Sequence, residues 1–303
     1  MIQKVLNYFR QSLSRKRARS IKAVYPFRID TFELEQEGII QFANWTNPLG
    51  INRTMVQGEV NFFRRFAVPG SFCIDIGANI GDTTVPMALA VGSEGLTIAF
   101  EPNPLVYEGL KENALLNKGK VNIITIPYAV TETDGNFFYN SSEASFGNGG
   151  VSADKNDALK HGKFQLDEQI QGVNLESYLN KHYLEYLPRL SFIKIDVEGH
   201  DKDIIKSIYS LIEQYKPAIV AEVFDYSTAE ERLELFDLVA IHKYNIFYFY
   251  EFMDPTEIYP LKRDDMISKK NFNFYAIPTG YGVCNSMAEF NMKTVEKTIP
   301  DSK

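Results

Sequence analysis

The chain has 303 residues, 45% of them hydrophobic and 23% charged, with a formal net charge of −7. That is enough apolar material for one large α/β domain with a modest extra segment, and it excludes global disorder. The acidic balance argues against a general nucleic-acid binder, and no apolar run is long enough to cross a bilayer.

The charge is uneven. Residues 1–29 carry Lys4, Arg10, Arg15, Lys16, Arg17, Arg19, Lys22 and Arg28 and no acid. Ile2, Val5, Leu6, Phe9 and Leu13 recur at helical spacing within residues 1–20. One reading is a basic helix that touches an anionic surface. The simpler expectation is an arm packed on the domain with a solvated basic face. A secretory apolar region is absent, and Cys73 and Cys284 show no zinc spacing, so a reducing, cytoplasmic setting is expected. Residues 21–50, with Pro26, Asn47-Pro48 and Gly50, read as irregular structure or a small hairpin. Residues 51–70 read as a helix that stops at Pro69-Gly70.

From Phe72 onward, strands and helices alternate, the pattern of a mostly parallel sheet covered on both faces. Expected strands are Phe72–Ile76, Leu96–Phe100, Val121–Ile126, Ser191–Asp196, Ala218–Phe224, Asn245–Tyr250 and Asn271–Ile277. Helices are expected at Asp82–Ala90, Leu105–Asn117, Asp201–Tyr215 and Thr228–Ile241. No long helix separates the last two strands, so the final one is a candidate antiparallel strand. Residues 131–173 interrupt the alternation with Gly, Ser, Asn and Asp. A loop of this length reads as a flap over the substrate, with room for a hairpin, or as a mobile surface insertion. The expected organisation is therefore an arm and lead-in at 1–50, a main domain at 51–280 with the flap inserted, and a tail at 281–303.

Four groups of residues carry chemistry. The first is the turn Asp75-Ile-Gly77-Ala78-Asn79-Ile-Gly81 between a buried strand and a helix. Its glycines let a ligand approach the backbone, and the following helix offers free N–H groups. The spacing is neither that of a dinucleotide fold nor that of a P-loop. An acid at Asp75 repels phosphate and suits a cation, which points to S-adenosylmethionine with its ammonium and sulfonium. The second is Glu101, placed at the next strand end to accept both ribose hydroxyls, with Pro102, Asn103 and Tyr128-Ala129-Val130 as candidates around adenine. The third is Lys194-Ile-Asp196-Val-Glu198-Gly199-His200-Asp201. Asp196, Glu198 and His200 would face the same crevice, His200 as a base or the carboxylates as groups that orient an acceptor. Helix capping explains Glu198 and Asp201 equally well. The fourth is Glu222 within Ile219–Phe224, an acid in a buried strand that needs either a pocket or a partner. Asp196, Glu198, His200 and Glu222 are also of the type that could hold Mg²⁺, a role the sequence does not assert.

In this order and spacing, Asp-Ile-Gly-Ala-Asn-Ile-Gly (75–81), Phe-Glu-Pro-Asn-Pro (100–104), Ile-Lys-Ile-Asp-Val-Glu-Gly-His (193–200) and the Glu222 strand resemble the FkbM-type methyltransferases over roughly residues 56–250. The resemblance implies a class I, Rossmann-like α/β fold with a seven-stranded, mostly parallel sheet and one antiparallel strand. It implies S-adenosylmethionine as donor and O-methylation of a sugar, polyketide or other small hydroxyl compound. By family position, Asp75, Gly77, Asn79, Gly81 and Glu101 fall in the cofactor site, and Asp196, Glu198 and Gly199 at the floor of the reaction pocket. His200 stands where the family often has a small residue. Two other functions stay open: a nucleic-acid methyltransferase, against which the lack of an Asn/Asp-Pro-Pro-aromatic tetrad speaks, and a non-catalytic cofactor-binding scaffold working through its basic arm.

Overall fold

The computed structural model describes residues 2–280; the expected tail at 281–303, and Cys284 with it, lie outside the described residues. The chain begins with helix α1 (Ile2–Ser20), followed by an antiparallel hairpin of β1 (Phe27–Leu34) and β2 (Gly38–Trp45). The hairpin realises one of the two readings for residues 21–50. Helix α2 is shorter than expected, Gln57–Arg64, because Val56 is extended and residues 51–56 run without helix.

The central domain continues with β3 (Phe72–Ile76), α3 (Thr84–Val91), β4 (Leu96–Phe100), α4 (Pro104–Leu115) and β5 (Ile123–Ile126). The flap then contributes β6 (Ala129–Val130), β7 (Gly135–Ser141), β8 (Gly150–Ser152), the short α5 (Lys155–Ala158), β9 (Phe164–Gln165) and β10 (Ile170–Val173). The chain returns through α6 (Leu175–His182), β11 (Leu190–Ile195), α7 (Asp201–Ser207), α8 (Tyr209–Tyr215), β12 (Ala218–Val223) and α9 (Ala229–Ala240). It ends with β13 (Tyr244–Phe249), β14 (Ile258–Pro260) and β15 (Phe272–Pro278). The single helix expected over 201–215 is two, broken at Ile208, whose backbone (φ −110°, ψ 20°) leaves the helical region.

The main sheet has the order β14-β13-β15-β12-β11-β3-β4-β5. β5, β4, β3, β11 and β12 are mutually parallel, and β15 is antiparallel to both β12 and β13. These are the seven expected strands, with the last inserted antiparallel. The short β14 adds an eighth, antiparallel edge that the sequence reading did not anticipate. The chain leaves β3 toward β4 on one side and later returns to β11 on the other. A crevice therefore opens at the carboxyl ends of β3 and β11, where strand order reverses.

Alternation in β3 explains both faces of the sheet. Phe72, Ile74 and Ile76 join Phe100, Ile193 and Ile195 in one core under α6 to α9. Cys73 points to the other face, into a second core with Phe62, Phe63, Met87, Phe192 and Phe42 from α2, α3, β11 and the hairpin. The hairpin is bolted on by Asn113 of α4, whose Oδ1 accepts from Ala43 N at 2.6 Å and whose Nδ2 donates to Ile80 O at 2.7 Å. The flap is a small sheet of its own, β6-β10-β7-β8 with β9 against β7, packed around Tyr139, Phe146 and Ile170.

Candidate active site

Sheet register brings the first chemistry together. Asp75 in β3 and Lys194 in β11 are paired neighbours on the face that holds Cys73 and Phe192. Both are almost wholly buried, and Lys194 Nζ lies 3.2 Å from Asp75 Oδ1. The hydroxyls of Thr83 and Thr84, at the start of α3, donate to Asp75 Oδ2 at 2.9 and 2.7 Å. Burial alone would lower the Lys194 pKa, but Asp75, Asp196 and Asp82 outweigh it and hold the ammonium above its ordinary range. The same ammonium reaches Asp196 Oδ2 at 3.3 Å and donates to Gly77 O at 3.3 Å. One buried cation thus ties the tips of β3 and β11 together.

The turn after β3 is shaped by the closeness of those two strands. Gly77 has φ +76°, and a Cβ there would lie 1.9 Å from the carbonyl oxygen of Asp196. Only glycine fits. Gly77 N and Ala78 N both donate to Phe100 O at 3.0 Å, while Asn79 (φ 49°) turns its own N–H toward Glu101. Glu101 Oε2 accepts from Asn79 N and Oε1 from Asn103 N, each at 2.8 Å. Burial pushes its carboxyl up to about 7, against the pull of those two N–H groups and of Lys194. Asn103 caps α4 through Leu105 N, and its Nδ2 reaches the flap at Phe146 O (2.6 Å) and the Tyr139 hydroxyl (3.3 Å).

A cavity of about 960 Å³ opens above these strand tips. On one side it is lined by Gly77, Asn79, Glu101, Pro102, Tyr128 and Ala129, and on the other by Asp196, Glu198, His200, Asp203, Tyr250 and Phe252. Flap residues Thr131–Thr133, Tyr139 and Gly147–Ala153 form a further wall, as a substrate-facing flap requires. Glu198 sits in a left-handed conformation (φ 54°), and burial, then the charge of Asp196, raise its carboxyl to about 7. The Nδ1 of His200 lies 3.4 Å from Asp203 Oδ2. Arg53, before α2, also reaches the cavity; it pairs with buried Glu59 and lies 3.9 Å from Asp82 Oδ2.

A separate comparison decides the family: the Methyltransferase FkbM domain matches residues 75–252. The chain belongs to the FkbM methyltransferase domain family. Among curated relatives, the hexuronic acid methyltransferase AglP of Haloferax volcanii is 24% identical over 48% of this chain, which spans 53% of AglP. The methyltransferase sdnD of Sordaria araneosa is 24% identical over 54% of this chain and 70% of its own length. A crystal structure of a methyltransferase FkbM from Methylobacillus flagellatus KT overlaps 72% of this chain and 50% of its own. It does so at 13% identity and a TM-score of 0.41, too low to carry a functional argument.

Within this FkbM domain the expected residues divide. Gly77, Asn79, Glu101, Pro102, Ala129, Asp196, Glu198 and His200 line one cavity. Asp75 does not: its carboxylate, expected to meet a cationic ligand, is wholly buried and turned onto Lys194 and two threonines. Ala78, Gly81 and Asn103 shape the turn and the head of α4 from behind the wall. Glu222 also lies outside the cavity. Its backbone N–H donates to Asp201 Oδ1 at 3.1 Å, and its carboxyl, beside Asn271, is raised to about 8 by burial, Asp196 and Asp201. Here the partner reading of that buried acid applies rather than the pocket reading. No three His, Cys, Asp or Glu side chains among the described residues gather in a metal-holding group, so the Mg²⁺ ligand set drawn from Asp196, Glu198, His200 and Glu222 is not formed. No described helix is long and apolar enough to cross a membrane.

The sequence motifs alone give Lys194 and Arg53 no individual role. Lys194 carries a legible signal, a lysine in an otherwise apolar strand, which is tolerable only with carboxylates around it. Arg53 carries none, since its partners are set by the fold.

Proposed function

We propose that the protein transfers a methyl group from S-adenosylmethionine to a hydroxyl oxygen of a small neutral molecule, a saccharide or a hydroxylated natural product. The carrying observation is the division of one cavity into a glycine-turn side headed by Glu101 and a side walled by Asp196, Glu198 and Asp203. The donor set fits the cofactor. The oxygens of Glu101 are held in place by backbone N–H groups and keep lone pairs for ribose hydroxyls, and no side chain intrudes at Gly77. Pro102, Val106, Tyr128, Ala129 and Val130 provide apolar surface for adenine. When bound, the cofactor supplies a methyl group on a positively charged sulfur, and Asp196, only part-neutralised by Lys194, offers that charge a partner.

An acceptor hydroxyl must lose its proton as its oxygen attacks. Glu198 is suited to take it, because a carboxyl near 7 is part-ionised at neutral pH yet basic enough to matter. Glu198 therefore replaces His200 as the first choice of base, with His200 positioned to orient the acceptor. Acidic walls also disfavour a phosphate backbone and an acceptor with its own carboxylate, which supports a neutral small molecule over nucleic acid or a uronate.

Calorimetry with S-adenosylmethionine, set against NAD and ATP, tests the donor. Selective heat is expected, and Glu101→Ala should weaken it by roughly 10- to 100-fold, the loss of charge-assisted hydrogen bonds. Labelled methyl transfer to neutral and acidic sugars tests the acceptor, and preferential labelling of acidic sugars counts against the neutral-acceptor reading. Glu198→Gln should lower kcat far more than donor affinity and remove the limb of the pH profile near 7. A profile unchanged in Glu198→Gln but lost in His200→Asn returns the base to His200.

A further inference from the structure

Over residues 9–20, helix α1 does not bury the apolar side chains that its sequence would bury. Of residues 9–20 only Ala18 is buried, whereas Phe9 is 59% exposed and Leu13 is 67% exposed. At about 100° per residue, Ala18 stands about 180° from Phe9 and about 140° from Leu13. This end of the helix is therefore seated on the domain by the side opposite Phe9 and Leu13. Its end is fixed there: Arg15 Nε donates to Pro48 O at 3.1 Å, and Ala144 N of the flap donates to Arg19 O at 3.1 Å. The packed arm expected from the sequence is thus attached at its end, with Phe9 and Leu13 turned outward.

The charges complete the pattern. On the same wheel, Arg10 and Arg17 flank the stripe of Phe9 and Leu13 on one side and Arg19 on the other, Lys16 continues its line, and Arg15 lies toward the seated side; all five are exposed. Two further apolar side chains, Ile21 (50%) and Val24 (82%), stay exposed just beyond the helix. The first 29 residues hold eight bases and no acid, and the other residues hold 24 bases against 39 acids. An apolar stripe flanked by arginines, on a body that is otherwise acidic, matches a surface with an apolar interior and anionic headgroups.

We infer that α1 is an interfacial anchor that seats the protein on an anionic lipid bilayer through Phe9, Leu13 and the flanking arginines. A second copy is a poorer occupant, since face-to-face pairing would set two strongly basic helices against each other. The anchor is joined to the cavity wall by the Arg19–Ala144 hydrogen bond and by the Lys22–Asp167 ion pair at 2.7 Å, both to the flap segment. This inference does not depend on the methyl-transfer reading.

The test is co-sedimentation of the full chain with vesicles of phosphatidylglycerol and phosphatidylcholine, against pure phosphatidylcholine. Binding is expected to the mixed vesicles only, and to weaken at high salt. Phe9→Glu/Leu13→Glu and Arg10→Gln/Lys16→Gln/Arg17→Gln should each reduce partitioning by roughly tenfold or more. Thermal melting should be unchanged, because none of these residues is buried. Failure of the full chain to bind mixed vesicles, or equal binding by both variants, overturns the inference. So does light scattering that shows a dimer dispersed by the apolar variant without any vesicle binding, which would make the stripe an interface between copies.

Discussion

The floor of the cavity and its flap wall are held by different means. At the floor, Asp75 and Lys194 are neighbours because β3 and β11 pair in parallel register, and Gly77 is glycine because the Asp196 carbonyl occupies the space of a side chain. The flap, with its own small sheet β6-β10-β7-β8, meets the floor through a few side-chain hydrogen bonds to Tyr139, Phe146 and Gly147, chiefly from Asn103 and, at 3.4 Å, from Asn79 to Gly147 O. Under the proposed methyl-transfer reading, the floor would hold the donor in one geometry while the flap shapes the wall that meets the acceptor.

The largest expected effect attacks the floor at its cation. Lys194→Met leaves Asp75 buried without its counter-charge and should cost about 3–5 kcal/mol in denaturant unfolding. Adding Asp75→Asn should recover part of that loss, and a double variant no more stable than Lys194→Met would refute the pairing argument. Gly77→Ala comes next. A methyl group driven into the Asp196 carbonyl at a positive φ should destabilise by about 3 kcal/mol, and by well under 1 kcal/mol if the strand tips can separate.

A flap contact should cost less. Asn103→Ala removes the α4 cap and the partner of the Phe146 carbonyl, and about 1–3 kcal/mol is expected. Proteolysis within 140–153 should then accelerate more than global unfolding does, whereas for Lys194→Met the two should move together.

Acidity distinguishes the regions as well. Glu101, Glu198 and Asp201 are raised to about 7 and Glu222 to about 8, so the folded state binds more protons than the unfolded chain above the ordinary carboxylate range. Stability from these groups is present below that range and is lost as pH rises through about 7 to 8. The melting temperature should fall from about pH 5 to about pH 8, and Glu222→Gln should flatten the fall. The smallest effect belongs to the flap edge, where Lys22→Ala breaks an exposed pair with Asp167 and should change stability by about 0.5 kcal/mol or less.

Local pattern made much of the fold legible. Period-2 and period-3.6 apolar spacing located the strands and helices of the main sheet, and the Gly77–Gly81 turn, Glu101 and the 194–201 segment supplied many of the residues that line the cavity. Where the reading failed, the deciding partner was distant in the chain. Asp75 reads as a ligand-facing acid in its local sequence, but its partner, Lys194, lies across the sheet and 119 residues later. Glu222 reads locally as a pocket acid, but which side of the strand tips it occupies depends on how α7 presents Asp201. The outward stripe of α1 depended on Ala18 packing at the opposite face.

The amino-acid order by itself determined the succession of strands and helices, the glycine turn and the acids at the strand ends, because these follow from hydrophobic periodicity and backbone sterics within a few residues. Tertiary structure alone decided which acids face the cavity and which are neutralised behind it, and which side of the first helix is left exposed. Those outcomes depend on partners brought together by sheet register and packing, and charge burial depends on the partner.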